Sequence, residues 1–170
     1  MHPLTLNKRN INVTYSLGGA LMLLCFISAQ GYANAADNPP GVNAYPVIYL
    51  FDRSDGEGKS CHFEMTPGKH KFGRNYSCKN DWAESFWIEL PRDGIRFSIH
   101  DNTNCSDSEQ GRQYYRIKNP VYGQRTGSVS VTAASQNGRG KEVTKGIWAV
   151  DFAGDRVEGK VSCLNVQDDG

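Results

Sequence analysis

Short apolar runs separated by turn residues dominate the chain beyond residue 45. They are Val47 to Phe51, Lys59 to Met65, Phe86 to Leu90, Ile95 to His100, Gln113 to Ile117, Ser128 to Ala133, Val143 to Phe152 and Val157 to Val166. Their length and their β-branched and aromatic content predict strands. Arg96-Phe97-Ser98-Ile99-His100 and Ser128-Val129-Ser130-Val131 alternate apolar with polar, so one face packs while the other meets water. Between the runs stand Asp55-Gly56-Glu57-Gly58, Pro67-Gly68, Arg92-Asp93-Gly94, Gln136-Asn137-Gly138 and Gly154-Asp155, which are turn chemistry. No stretch of helical length keeps a 3.6-residue period, the nearest being Asn80 to Phe86. The pattern predicts an all-β antiparallel sandwich or barrel. Its last two runs are expected to form a hairpin around Ala153-Gly154-Asp155, and no linker divides residues 45–170.

The N-terminus follows a different pattern. Lys8 and Arg9 precede an apolar run from Leu17 to Ala29, and Ala33-Asn34-Ala35 has the small-x-small form of a cleavage site. Residues 1–35 are therefore expected to be a signal peptide cut after Ala35. The run contains two Gly and soon meets Gln30 and Gly31, whereas a membrane span takes about 18 apolar residues. Residues 36–44 form a Pro-, Gly- and Asn-rich lead-in, and nothing after them is apolar for long enough to cross a bilayer. The expected location is the periplasm or the exterior.

The composition is globular: of 170 residues 38% are hydrophobic and 22% charged, which excludes disorder, collagen and heptad rods. The 19 basic and 18 acidic residues leave +1, and removal of the leader, which holds Lys8 and Arg9 but no acid, makes it −1. So little charge gives no long-range field for phosphates, and nucleic acid is not an expected partner. Cys25 lies in the leader, leaving Cys61, Cys78, Cys105 and Cys163, an even number in an oxidising compartment. Two disulfides follow. Three pairings are open; Cys61 with Cys78 and Cys105 with Cys163 is favoured, because the first pair is near in sequence and the second would tie down the C-terminal strand. Zinc is disfavoured by the lack of any C-x-x-C pair.

Ile48-Tyr49-Leu50-Phe51-Asp52-Arg53, then Gly58, then Cys61-His62-Phe63-Glu64 resembles the opening of a βγ-crystallin Greek-key motif. Asn80-Asp81-Trp82-Ala83-Glu84-Ser85-Phe86-Trp87-Ile88 is similar to that motif's later signature of two Asn or Asp, a short gap and a Ser before the closing strand. A second unit would run from Ile95 to His100, through Gly111 and Gln113 to Ile117, and close on Ser128-Val129-Ser130-Val131, with residues 143–166 as an added hairpin. The pattern departs from the family at Gly56, where an aromatic is expected, at the insertion Thr103 to Glu109, and at Gln124 and Arg125, which replace the second acidic pair. The resemblance implies a Greek-key β-sandwich. It also implies a calcium site at Asn80 and Asp81, since a hard cation collects oxygen donors from adjacent loops; Glu84, where the family usually has Ser or Thr, is either a further ligand or a solvated turn residue, and Asp52 and Asp55 of the hairpin would complete the shell. No other cofactor is expected.

Catalytic motifs are absent: there is no G-x-S-x-G, no H-E-x-x-H and no phosphate-cradling Gly loop. His100 beside Asp101 suggests a general base, but adjacent strand residues point to opposite faces. A glycosidase would have to draw on Asp52, Glu64, Asp81, Glu84 and Glu89. The oxygen-rich stretch His100 to Glu109 reads as a solvated insertion held by Cys105. Trp82, Phe86 and Trp87 read as core. Arg112, Tyr114, Arg116, Tyr122 and Arg125, near Tyr115 and Lys118, interleave cations with aromatics as a partner-binding surface does.

The expectation is an exported, non-catalytic binding module that engages or inhibits another protein. As an inhibitor it would use a braced loop, Thr66 to Cys78 or Thr103 to Gly111. This role fits the resemblance, whose relatives include secreted metalloproteinase inhibitors and small microbial toxins. Two alternatives are a calcium-binding structural protein of the envelope and a small secreted toxin or hydrolase. A glycan or lipid ligand stays open.

Overall fold

The computed structural model describes residues 44–73, 78–107, 111–154 and 157–170. The expected leader, its cut after Ala35 and residues 36–43 of the lead-in lie outside them, as do parts of both expected inhibitor loops. The described residues belong to one compact unit. Among the described residues no helix is long and apolar enough to cross a membrane.

Ten strands build two antiparallel sheets. The strands are β1 (Val47–Phe51), β2 (Ser60–Glu64), β3 (Gly68–Lys71), β4 (Ser85–Glu89), β5 (Ile95–His100), β6 (Arg112–Ile117), β7 (Val129–Ser130), β8 (Glu142–Thr144), β9 (Ile147–Ala153) and β10 (Cys163–Asp168). A short helix, α1 (Ala133–Asn137), follows β7. One sheet has the order β2-β1-β4-β7 and the other β3-β10-β5-β6-β9-β8. The two halves repeat one arrangement. β1 is flanked by β2 and β4 while β3 joins the opposite sheet; β5 is flanked by β10 and β6 while β7 joins the opposite sheet.

Period-two patterning decides which face is buried. Ile48 and Leu50 of β1, Phe86 and Ile88 of β4, Ile95 and Ile99 of β5 and Ile117 of β6 are fully buried between the sheets. The two sheets interlock through three rings: Phe86 of the four-stranded sheet packs edge-on against Phe97 (5.6 Å) and Tyr115 (5.3 Å) of the six-stranded one. Burial of each such side chain contributes about 2–3 kcal/mol. The Tyr115 hydroxyl donates to the Val131 carbonyl (3.1 Å) and accepts the Ala134 N–H (3.2 Å), tying α1 to β6.

At the β1–β2 turn, Gly58 holds φ +90°, and a Cβ there would lie 2.3 Å from Asp52 Oδ1, so only glycine fits. Ser85 Oγ donates to the Arg53 carbonyl (2.5 Å) and fastens that turn to β4. Disulfides join Cys61 to Cys78 and Cys105 to Cys163, the favoured pairing, with Cα atoms 5.3 and 5.4 Å apart.

Several strand expectations are corrected. The final hairpin does not exist, because β10 lies between β3 and β5 while β9 lies between β6 and β8. Leu164 and Val166 of β10 pair with Ile99 and Phe97 of β5 and are buried in the core. The run Val143 to Phe152 splits into β8 and β9 at Gly146, whose φ of +84° reverses the chain. The run Ser128 to Ala133 yields only two strand residues, which pair with β4 of the first half instead of closing the second, and then bends into α1. Gly68–Lys71, which begins at the expected Pro67-Gly68 turn and is not among the expected strands, is an edge strand formed by pairing with β10.

Candidate functional site

On β6 the odd residues Gln113, Tyr115 and Ile117 point inward and are buried, so Arg112, Tyr114 and Arg116 share the outer face of the six-stranded sheet. Three of the five residues expected at a partner surface are thus brought together by strand periodicity. The other two are not part of this row. Arg125 places its guanidinium 5.1 Å from the ring centre of Trp87, on the outer face of the opposite sheet. Tyr122 lies in the β6–β7 connection and is 66% exposed.

The outer face has relief. A cleft of about 90 Å³ opens between β10, β5, β6 and β9, lined among others by Arg96, Ser98, Tyr114, Val150, Asn165 and Gln167. Tyr114 donates its hydroxyl to Asp107, and Arg112 lies 5.4 Å over its ring. Burial, together with the Asp107 carboxylate, pushes the Tyr114 hydroxyl up to about 12, so it remains a donor across the physiological range. Lys118 stacks 5.6 Å above Trp148 on the same face. Aromatic surface backed by guanidinium groups is the composition of interface hot spots.

Beneath Tyr114 lies a pair that sequence reasoning missed. Ser98 Oγ and His100 Nε2 are 2.8 Å apart, and both residues are buried although their strand positions face outward. The 101–107 loop, held by Cys105–Cys163, and the Tyr114 ring cover them. Burial lowers the His100 pKa; Asp107 and the Ser106 backbone oppose the shift, while Arg112 and Lys69 reinforce it. With its ring fully buried, His100 packs against Ser98 beneath Tyr114. The available signal was Ser-x-His on one strand, which places two side chains on one face.

The residues named for calcium come from two segments, Asp52 from the β1–β2 turn and Asn80, Asp81 and Glu84 from the loop that leads into β4. Asp81 holds φ +54° and accepts hydrogen bonds from Asn80 (2.8 Å) and Ser162 (3.3 Å). Asp52 accepts from the Lys59 N–H (2.8 Å), and Glu84 donates its backbone N–H to Phe51 (2.8 Å). Among the described residues no three His, Cys, Asp or Glu side chains converge into a metal-holding group.

Trp87 is not the core residue expected; Phe86 is, and Trp82 packs partly buried against the core. Trp87 stands on the outer face of the four-stranded sheet, stacked on Tyr49 (4.1 Å), which leans on His62 (5.3 Å). With Arg125 over Trp87, this row uses its ring faces on one another, so it does not offer the bare face that stacks a sugar. In comparisons with known proteins, the chain matches no family model, no curated protein and no solved structure.

Proposed function

We propose that this chain is an exported, non-catalytic, disulfide-bonded binding module that engages another protein through the outer face of its six-stranded sheet. One observation carries the reading: strand β6 aligns Arg112, Tyr114 and Arg116 along a single outward row beside a cleft. Tyr and Arg are the residues whose burial in a partner contributes most, and the sheet beneath holds them rigid, which lowers the entropy cost of binding. The two disulfides fit an oxidising compartment outside the cytosol. The inhibitor loops expected from sequence give way here to the sheet face.

We also propose a Greek-key, βγ-crystallin-like architecture. Its support is the repeated exchange of a third strand, β3 and β7, between the sheets. In this reading β10 closes the second unit, and α1, β8 and β9 are inserted before it. Calcium forms no part of the proposal.

The test is affinity capture with the oxidised chain from envelope and secreted extracts, alongside Arg112→Ala/Arg116→Ala. A near-stoichiometric partner lost in the variant, with Tm unchanged, is the expected result. Equal capture by both overturns the reading.

A further inference from the structure

Arg96 of β5 and Arg116 of β6 stand directly opposite one another in the strand register, and both are exposed on the outer face. Side chains so placed begin about 5 Å apart, and like charges there repel. Arg96 is relieved by the C-terminal tail: its Nε lies 2.5 Å from Asp169 Oδ2, and a terminal nitrogen donates to Asp169 Oδ1 at 2.6 Å, a forked grip on one carboxylate. Asp168 pairs with Arg92 in the same tail. Among the described residues Arg116 has no ion pair. The face therefore already selects a carboxylate at one arginine and leaves the facing one unmatched.

The cleft beside this pair states what else the occupant carries. Asn165 and Gln167 present amide groups, and Tyr114 and Val150 supply an apolar wall, with Val150 42% exposed. About 90 Å³ accepts the end of one side chain. A phosphate polymer would be met by a continuous track of cations. Here the outward residues of β10 are Cys163, Asn165 and Gln167, which separate Lys69 and Lys71 of β3 from the arginines.

We propose that the partner is an acidic protein surface that sets a carboxylate between Arg96 and Arg116 at the mouth of this cleft, and that Asp169 competes with it for Arg96. The proposal rests on the outer face being the interface. A partner carboxylate would be gripped by two guanidinium groups, and its stem would lie against Tyr114 and Val150. Asp169 then acts as an internal stand-in that the partner displaces.

The test measures binding of the oxidised chain to poly-L-glutamate near 0.15 M salt, with poly-L-lysine and heparin as comparisons. Poly-L-glutamate is expected to bind and poly-L-lysine not. Arg116→Ala should weaken poly-L-glutamate binding about tenfold, and Asp169→Asn should strengthen it severalfold. No binding of poly-L-glutamate, or an Asp169→Asn variant indistinguishable from the parent, overturns the proposal. Heparin bound more tightly than poly-L-glutamate, and released by Lys69→Ala/Lys71→Ala, overturns it in favour of an anionic polymer. If these fail while Arg112→Ala/Arg116→Ala still loses the captured partner, only the acidic specificity falls; if that variant keeps the partner, the interface itself falls.

Discussion

Tyr115→Phe isolates the bond that holds α1 and the end of β7 against β6. The ring, 1% exposed and packed between Phe86 and Phe97 at 5.3 Å from each, keeps its shape in the variant. Only the hydroxyl is lost, and with it the bonds to the Val131 carbonyl and the Ala134 N–H. Ala134 is fully buried, so its N–H is left without an acceptor or water. A buried orphan of this kind costs about 1–3 kcal/mol, and a value near 2 kcal/mol is expected for the pair of bonds. For a domain of this size that lowers Tm by about 8 °C. Urea unfolding should show a lower midpoint at unchanged slope, because the surface exposed on unfolding is the same. Hydrogen exchange at Ala134 should quicken at the same time. A loss under about 0.5 kcal/mol would refute the anchoring role, since an ordinary surface change has that size.

Three further outcomes follow from the same packing. His100 has a lowered pKa, so the unfolded chain binds more protons as pH falls below its ordinary value of 6.5; stability is full above that value and declines below it, by up to about 1.4 kcal/mol per pH unit, and His100→Gln should flatten urea titrations between neutral and mildly acidic pH. Loop closure predicts that Cys105→Ala/Cys163→Ala, which frees a separation of 58 residues, costs about 4 kcal/mol, against about 3 kcal/mol for Cys61→Ala/Cys78→Ala with a separation of 17; the reverse order in paired denaturation curves would contradict it. Gly146→Ala would bring a Cβ within 2.9 Å of Pro120 Cα at φ +84°, and should cost more than about 2 kcal/mol by calorimetry; a neutral result would place the β8–β9 turn elsewhere.

Strands were legible because alternation such as Phe97 and Ile99 against Arg96 and Ser98 marks a strand and its core face, but the expectation that the other face meets water failed at Ser98 and His100, which are buried. What failed was long-range pairing. Nothing local distinguishes β10 as a neighbour of β5 from β10 as a neighbour of β9, since that choice depends on which core has room for Leu164 and Val166. Polar β3 exists only through its pairing with β10, and α1 is too short to show a period and is held by a tyrosine 19 residues away. At the site, the interleaving of cations with aromatics pointed to Arg112, Tyr114 and Arg116, but not to the opposition of Arg96 to Arg116 or the reach of Asp169, which arise from register between strands. Arg125 was misgrouped because nearness in sequence does not decide which sheet a loop residue covers.

The central claim is that one face of the six-stranded sheet meets a protein. A photo-crosslinking benzoylphenylalanine placed at Arg116, on that face, and at Glu64, on the outer face of the other sheet, tests it directly in the producing cells. An adduct of one defined mass is expected from position 116 and none from position 64. Adducts from position 64 alone, or the same adduct from both positions, would contradict it.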